Sequence, residues 1–281
     1  MDTVTRDGLA LDVLDSGPAD GEVVVLLHGF PQDATTWGRV APLLHRAGLR
    51  TLAPHQRGYS PGARPRRVSA YSLRELVDDV VAVVDGAGAD RVHLVGHDWG
   101  GGVAWAVAQR HPDRVASLVV LSTPHPAALL WAIRHAGQLR HSWYMLVFQL
   151  PILPEVLLGR LLRSGALERW GVPAVDSRRY AARLGCAAAL RGPLNWYRAA
   201  FRQSLRRGIP GDATVTVPTT YVWGAQDPFL GRVAAERTGR HVTGDYRFLE
   251  ADADHWLPER EPELVAREIL ARVHTMRRVN A

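Results

Sequence analysis

The sequence has no lysine, a single cysteine and no long uninterrupted apolar run among its 281 residues. One cysteine, Cys186, excludes an internal disulfide and suits a reducing compartment, and we expect its thiol to be a small core residue. The longest apolar-rich stretch, 145–158, is interrupted by Pro151 and Pro154 and is too short to span a bilayer. We therefore predict a cytoplasmic protein that does not insert into membranes.

Arginine supplies all 34 basic residues and gives the chain a net charge of +6. The arginines form small, scattered clusters, for example at 66–67 and 206–207, without interleaved aromatic residues. A nucleic-acid-binding surface concentrates basic residues on one face of a domain. The pattern therefore predicts a solvated basic surface and no nucleic-acid partner.

Short β-branched runs alternate with helical patterns through most of the chain. The strand-like runs cover 22–27, 50–53, 91–95, 115–121, 219–223 and 246–249, and the helical patterns cover 35–47, 72–84, 99–110 and 262–272. Nearly continuous apolar strands separated by helices are typical of a mostly parallel sheet with helices on both faces. We therefore predict a doubly wound α/β fold.

The alternation stops after residue 126 and resumes after residue 211. Residues 127–211 are helical in pattern and rich in Leu, Arg, Trp and Tyr. An insertion over the carboxyl ends of parallel strands lies where open α/β sheets bind ligands. The sequence therefore predicts a core formed by 1–126 and 212–281 and a helical lid formed by 127–211.

Asp98 is the central residue of a strand–turn–helix motif, GHDWG at 96–100. The motif matches the nucleophile elbow G-x-S-x-G, in which small residues allow a sharp turn to lift one side chain above the sheet edge. An aspartate before a helix is more often only an N-cap. The glycines on both sides, together with partner residues later in the chain, favour the elbow.

Aspartate in place of serine changes the chemistry of an elbow. A serine that attacked a saturated carbon would form an ether, which water does not readily cleave. A carboxylate, which is ionised near neutral pH, forms an alkyl ester whose carbonyl carbon water can attack. Asp98 therefore predicts substitution at saturated carbon followed by ester hydrolysis, and epoxides and alkyl halides are the candidate electrophiles.

An acid and a histidine follow Asp98 in the chain order that elbow enzymes use. Asp227 stands in a turn after one predicted strand, and His255 follows the next strand. We expect His255 to deprotonate water and Asp227 to orient the imidazole. Asp252 and Asp254 are alternative acids, although their position beside the histidine suits solvent-facing turn residues.

The loop after the first predicted strand, HGFP at 28–31, supplies a further part of the site. In elbow enzymes one backbone N–H of this loop and the N–H after the nucleophile form an oxyanion hole. These positions are Phe30 and Trp99. We expect their N–H groups to stabilise the oxyanion that forms when the Asp98 ester is hydrolysed.

With these residues in place, the chain resembles the epoxide hydrolases of the α/β-hydrolase superfamily over nearly its whole length. The resemblance is carried by HGFP at 28–31, RGYS at 57–60, GHDWGG at 96–101, WGAQD at 223–227 and HW at 255–256. It implies an α/β-hydrolase fold and the opening of an epoxide by water to give a vicinal diol.

Two lid segments carry the more specific part of the resemblance. WYMLVFQ at 143–149 and GPLNWYR at 192–198 are similar to the two lid segments in which the family has a tyrosine. By this match, Tyr144 and Tyr197 grip the epoxide oxygen. A phenol that donates to the forming alkoxide contributes about 10²- to 10⁴-fold in rate. The alternative is that both tyrosines only pack in the lid.

Residues beside these motifs are candidates to line the substrate pocket: His28, Pro31, Trp143, Phe148, Trp196 and Trp256. The aromatic, leucine-rich lid favours an apolar epoxide, with water as the second substrate. We expect no metal and no cofactor, because no metal-ligand spacing or phosphate-binding loop is visible. The sequence is compatible with either a monomer or a homodimer.

Two residues depart from the family pattern. His55 stands where relatives usually have aspartate, so we expect a local change in the loop that follows the strand at 50–53. Asp254 stands where glycine is usual before the histidine.

Two other functions stay open. Haloalkane dehalogenases use the same nucleophile but tend to carry Asn where this chain has Phe30. Fluoroacetate-type dehalogenases carry Arg after the nucleophile, where this chain has Trp99. The second alternative, after the dehalogenases, is a non-catalytic ligand-binding protein on the same scaffold, since a fold does not fix a function.

Overall fold

The computed structural model describes residues 1–207 and 214–280, and the predicted boundary between lid and core at 211–212 lies outside the described residues. Its sheet contains eight strands: β1 Thr3–Arg6, β2 Leu9–Ser16, β3 Glu22–Leu27, β4 Leu49–Pro54, β5 Val92–His97, β6 Val115–Leu121, β7 Thr219–Gly224 and β8 Tyr246–Ala251. Their spatial order is β1-β2-β4-β3-β5-β6-β7-β8. β3 to β8 are parallel, whereas β2 pairs antiparallel with β1 and β4. The predicted mostly parallel sheet is confirmed.

Alternating side chains of the central strands enter two separate apolar cores, one on each face of the sheet. Along β3, Val25 and Leu27 belong to one core, whereas Val24 and Leu26 belong to the other. All four side chains are fully buried. Burial on both faces explains why this strand is apolar at nearly every position.

The first helices are α1 Ala41–Arg46, α2 Leu73–Gly86 and α3 Trp99–Arg110. The helix predicted over 35–47 is instead a 3₁₀ turn at Ala34–Gly38 followed by the short α1. Pro42 lies in the first turn of α1 and has no N–H, so a helix cannot continue through it from the preceding residues.

Between β6 and β7 the described residues form seven helices: α4 Pro126–His135, α5 Leu139–Ser142, α6 Tyr144–Val147, α7 Leu153–Arg163, α8 Ala166–Arg169, α9 Ala174–Leu184 and α10 Ala187–Arg207. Two ion pairs attach α9 to the core. Arg39 lies 2.7 Å from Asp176, and Arg183 lies 3.1 Å from Asp33. The insertion therefore lies against the core loop that also carries Phe30.

The chain ends with α11 Arg232–Arg237, α12 Leu257–Arg260 and α13 Pro262–Asn280. The predicted helix over 262–272 thus begins at the expected residue and continues further. Within 1–207 and 214–280, no helix combines the length and the apolar character that a bilayer-spanning segment needs.

The β1–β2 hairpin is absent from the predicted strands. Its turn, Asp7-Gly8, is a residue pair typical of tight hairpins and lies between two alternating segments. Both turn residues have positive φ, 49° at Asp7 and 74° at Gly8. This pair is the signal by which the hairpin could have been found.

The expectation for Cys186 is wrong, because its side chain is exposed. It lies in the turn between α9 and α10, and turns of this kind run over the protein surface.

Candidate active site

Asp98 lies at the junction of β5 and α3 with an unusual backbone conformation. Its φ is 49° and its ψ is −122°, a combination that residues with a Cβ rarely adopt. The turn exposes 18% of the Asp98 side chain, although the preceding residue, His97, is fully buried. Strained positions of this kind persist only where the surrounding structure holds them, and they cluster at functional sites.

Close backbone contacts explain the two glycines that flank the turn. A Cβ on Gly96 would lie 2.4 Å from the carbonyl oxygen of Gly100. A Cβ on Gly100 would lie 2.3 Å from the carbonyl oxygen of Leu27. Both distances are too short for real side chains, so only glycine allows β3, β5 and α3 to approach this closely.

Two backbone N–H groups point at the Asp98 carboxylate. The Phe30 N–H donates to Oδ1 at 2.7 Å, and the Trp99 N–H lies near enough to lower the pKa of this carboxylate. These are the two donors that the sequence predicts for the oxyanion hole. Because Oδ1 is held in this way, Oδ2 is the oxygen that faces His255.

His255 stands between Asp98 and Asp227. Its Nε2 lies 3.7 Å from Asp98 Oδ2, and its Nδ1 lies 2.7 Å from Asp227 Oδ2. Asp227 is itself fixed, since its Oδ1 accepts the N–H groups of Phe229 and Leu230 at 2.8 and 3.0 Å. The three side chains thus form a connected line that ends at the elbow.

The two alternative acids contact other groups. Gln226 donates to Asp252 at 2.7 Å, whereas Asp254 accepts the Trp256 N–H at 2.9 Å. The structure therefore brings Asp227, and neither rival, to the imidazole Nδ1 of His255.

Burial and neighbouring charges shift the pKa values of Asp98 and His255 in opposite directions. Burial alone would lower the pKa of His255, but the carboxylates of Asp227 and Asp98 outweigh it and raise that pKa to about 9. Burial raises the pKa of Asp98, and the charge of His255 and the two N–H donors partly offset that rise. The protonation state of His255 therefore depends on whether Asp98 carries its charge.

Six aromatic rings of the core and the insertion meet beside Asp98, and we call them the aromatic cluster: Phe30, Trp99, Tyr144, Phe148, Tyr197 and Phe229. The Tyr197 ring centroid lies 4.9 Å from that of Trp99 and 6.3 Å from that of Tyr144. Burial raises the pKa of both phenols, and the charge of Asp98 raises it further. Two protonated phenols therefore lie near the elbow carboxylate.

The tryptophans predicted to line the pocket differ in position. Trp196 packs against Trp99 with ring centroids 5.7 Å apart, and Trp256 packs against His255 at 5.1 Å. Trp143 is 61% exposed. Successive helical residues point about 100° apart, so Trp143 faces outward when Tyr144 faces the cluster. We therefore do not place Trp143 in the pocket.

The two pocket candidates of the HGFP loop, His28 and Pro31, are both buried. His28 is fully buried, and its Nδ1 lies 2.9 Å from the Gly29 carbonyl oxygen. Its Nε2 accepts the Gln56 N–H at 3.3 Å. Pro31 is buried and follows a cis peptide bond with Phe30. His28 therefore supports the loop that presents the Phe30 N–H, and we assign it to that loop rather than to the pocket wall.

Comparison with known proteins identifies the family. A family model described as alpha/beta hydrolase fold matches residues 22–262. The chain is 34% identical over 278 residues to the AB hydrolase superfamily protein YfhM of Bacillus subtilis (strain 168), with 95% of each chain covered. It is 31% identical to Epoxide hydrolase A of Mycobacterium tuberculosis, again with 95% of each covered. The chain belongs to the epoxide hydrolase family of the α/β-hydrolase superfamily.

Solved structures agree with this assignment. Epoxide hydrolase A from Mycobacterium thermoresistibile superposes with a TM-score of 0.82 at 28% identity and covers 97% of both chains. The epoxide hydrolase of Bacillus megaterium in complex with an inhibitor superposes with a TM-score of 0.84 at 25% identity, over 97% of this chain and 99% of that one. The protein is therefore a hydrolase with the α/β-hydrolase fold.

Phe229 is a site residue of this hydrolase that the sequence motifs do not reveal. Its ring lies 5.1 Å from His255 and 6.0 Å from Tyr144, so it connects His255 to the part of the aromatic cluster that the insertion contributes. The sequence could have indicated Phe229 only by its position two residues after Asp227. The Phe229 N–H donates to Asp227 Oδ1 in this turn.

His55, which departs from the family pattern, is buried in the hydrolase. Its Nδ1 accepts the Ala34 N–H at 3.4 Å, and burial lowers its pKa. An imidazole therefore stands in the place of the usual carboxylate and ties the loop after β4 to the 3₁₀ turn at Ala34–Gly38.

A series of buried hydrogen bonds connects the loops that carry Phe30, Asp98 and His255. His97 Nε2 lies 2.8 Å from the carbonyl oxygen of His255, and His97 Nδ1 lies 2.8 Å from Gln32 Oε1. Gln32 also accepts the Gly29 N–H at 3.3 Å and donates to Glu259 Oε1 at 2.7 Å. Gln32 therefore links the loop of Gly29 and Phe30, His97 before the elbow, and Glu259 in the helix that follows His255.

Replacing Glu259 by glutamine is expected to flatten the pH dependence of stability. Burial raises the pKa of Glu259, so the folded protein binds this proton more tightly than the unfolded chain does. The stability that this group contributes is complete below the unfolded carboxyl pKa and is lost as pH rises through the folded pKa. Unfolding in denaturant between about pH 4 and pH 8 measures the effect.

The glutamine variant keeps an oxygen that can accept from Gln32, Thr36 and Tyr180, as Glu259 Oε1 does. We expect it to lose less free energy of unfolding than the natural protein as pH rises. The matched control is Glu263→Gln at an exposed position of α13. Equal losses in the Glu259 variant and the natural protein would show that the buried carboxyl does not carry this pH dependence.

Proposed function

We propose that this hydrolase opens an epoxide with water through a covalent ester on Asp98. The observation that carries the proposal is the set of groups around one carboxylate. Asp98 occupies an elbow, His255 lies 3.7 Å away, and two phenols, Tyr144 and Tyr197, lie in the adjoining aromatic cluster. Relatives such as Epoxide hydrolase 3 of Xenopus tropicalis are named for the same reaction class and support the proposal.

In the first step, Asp98 Oδ2 attacks a carbon of the epoxide ring, and the bond from that carbon to the ring oxygen breaks. The Phe30 N–H holds Oδ1, which leaves Oδ2 as the attacking atom. The electron pair moves to the ring oxygen, and Tyr144 or Tyr197 donates a proton to it. Both phenols keep that proton at neutral pH because burial raises their pKa values.

In the second step, His255 removes a proton from water, and the hydroxide attacks Cγ of the Asp98 ester. Negative charge develops on Oδ1, where the N–H groups of Phe30 and Trp99 stabilise it. The bond between Cγ and the ester oxygen then breaks. The departing oxygen takes the proton from His255, the proton left on the Asp98 carboxyl restores the tyrosine, and the vicinal diol is released.

Ester formation prepares His255 for the second step. In the free enzyme the charges of Asp227 and Asp98 raise its pKa to about 9, which favours the imidazolium. The ester is neutral, so the contribution of Asp98 disappears once the substrate is attached. The pKa of His255 then falls, and the neutral imidazole that a general base requires becomes more populated.

The two tyrosines carry the prediction that separates polarisation of the epoxide from simple packing. Tyr144→Phe and Tyr197→Phe are each expected to lower kcat/KM by about 10²-fold, because the ring stays and only the proton donor is lost. Single-turnover kinetics should assign the loss to ester formation, with ester hydrolysis little affected.

The matched control is Tyr71→Phe, which removes another buried hydroxyl, bonded to the Pro65 carbonyl oxygen at 2.9 Å. This variant should retain the catalytic rate and lose about 1 kcal/mol of stability. Full activity in both Tyr144→Phe and Tyr197→Phe would show that the phenols only pack.

Product analysis tests the proposed reaction against its rivals. The purified chain is incubated with an apolar aryl epoxide, with a small polar epoxide and with a 1-haloalkane. We expect diol from the epoxides, a preference for the aryl compound because the aromatic cluster is apolar, and no halide release. Halide release without diol formation would replace the proposal with dehalogenation, and binding without any product would favour a non-catalytic protein.

A further inference from the structure

The outer side of helices α5 and α6 presents large apolar side chains to solvent. Leu139, Trp143, Leu146 and Leu150 are 47%, 61%, 52% and 47% exposed. Leu139 lies in α5 and Leu146 in α6, whereas Trp143 joins the two helices and Leu150 follows α6. Tyr144 and Phe148, on the opposite side, belong to the aromatic cluster. The outward residues are therefore available to a partner while the inward ones contact the site.

Helix α7, the next helix along the chain, also presents large apolar side chains to solvent. Leu153, Leu157 and Leu161 are 49%, 43% and 39% exposed, and their four-residue spacing places them on one side of the helix. The turn before α7 carries Ile152, which is 69% exposed. We call these residues of α5, α6, α7 and the turn the apolar lid face. Groups of exposed large apolar side chains of this kind mark interaction sites in soluble proteins.

The exposed charges of the segment that carries the apolar lid face have one sign. Within 127–163 every exposed charged residue is an arginine: Arg134, Arg140, Arg160 and Arg163. The one acid there, Glu155, is 5% exposed and lies 2.7 Å from Arg198, so it does not offset them at the surface. Arg160 falls between Leu157 and Leu161 on the outer side of α7. The face is thus apolar with a cationic rim.

We infer that the apolar lid face docks this hydrolase onto an anionic lipid surface. Leucine and tryptophan side chains beside arginines are the composition that holds a helix in the plane of a lipid interface, with its apolar side in the acyl boundary. A second copy is a poorer match, because a two-fold contact through this face would bring the same arginines together. Tyr144 lies on the inner side of α6, one of the docked helices. The thickness of this one helix therefore separates the lipid surface from the aromatic cluster.

Vesicle sedimentation of the full chain tests this inference. We expect binding to vesicles of equal parts phosphatidylglycerol and phosphatidylcholine, weaker binding at raised salt, and little binding to pure phosphatidylcholine. Arg140→Gln and Arg160→Gln should each weaken binding about fivefold. Leu153→Ser and Leu157→Ser should each weaken it by a similar factor, about fivefold. Thermal unfolding checks that each variant is folded.

Matched controls replace comparable residues elsewhere. Val233→Ser changes an apolar side chain that is 45% exposed on α11, and Arg74→Gln changes an arginine whose side chain is 82% exposed on α2. Both should bind as the natural protein does. No binding, equal binding to both kinds of vesicle, or binding that the lid substitutions leave unchanged would overturn the inference. A dimer in lipid-free solution that Leu157→Ser dissociates would assign the face to a second copy instead.

Discussion

Replacing Asp98 by alanine is expected to lower kcat/KM for epoxide opening by at least about 10⁴-fold, as loss of a nucleophile does in other covalent enzymes. The variant keeps the oxyanion donors, both tyrosines and His255, but it has no oxygen that can form the ester. Residual water attack on a bound epoxide would account for any remaining rate. Initial rates of diol formation, measured with an excess of enzyme if necessary, give the factor.

A second variant at the same position separates chemistry from folding. Asp98→Asn keeps the size of the side chain, and asparagine tolerates positive φ better than alanine. It should be as inactive as the alanine variant and unfold near the temperature of the natural protein. Asp252→Asn, at an exposed acid close to His255, should remain active. An active Asp98→Ala protein would contradict the covalent mechanism.

Replacing His255 by glutamine is expected to separate the two steps. Ester formation needs only the Asp98 carboxylate and a proton for the ring oxygen, so it should continue. Hydrolysis needs a base, and steady-state turnover should fall by at least about 10⁴-fold. The protein should then gain the mass of one intact epoxide on the peptide that contains Asp98. A slow His255→Gln enzyme without this adduct would show that water attacks the epoxide directly.

The same histidine gives a pH dependence with a defined sign. The unprotonated imidazole is the base, so the rate of ester hydrolysis should rise with pH and then level off. The levelling should occur below about pH 9, the pKa of His255 in the free enzyme, because the ester has removed the Asp98 charge. Rapid-quench measurement of ester decay across pH tests this. Hydrolysis that slows as pH rises through this range would contradict the assignment of His255.

Local patterns were sufficient to predict the elbow and the parallel strands. Gly96 is required by its contact with Gly100, four residues later, whereas Gly100 is required by the distant residue Leu27, yet both glycines stand in one short motif that the sequence shows. The strand at 22–27 is apolar from Val23 onward and fully buried from Val24 to Leu27, so its pattern can be recognised without knowledge of its neighbours. The edge hairpin is harder to predict because β1 and β2 include exposed and half-buried positions, which weakens their apolar pattern.

The supporting contacts of the site could not be predicted, since their partners are far apart in the chain. Gln32 and Glu259 are 227 residues apart, yet they form one buried hydrogen bond. No motif marks either residue, and each is an ordinary polar position until the fold brings them together. The same holds for Phe229, which becomes part of the aromatic cluster only because the turn at Asp227 faces the lid.

One turnover in ¹⁸O-labelled water, with enzyme in excess over epoxide, tests the covalent ester most directly. The attacking oxygen comes from Asp98 and the water oxygen replaces it. We therefore predict that the first diol carries no label and that the peptide containing Asp98 becomes heavier by one ¹⁸O atom. Label in the first diol with an unlabelled peptide would mean that water itself opens the ring, and the aspartate would then not be a nucleophile.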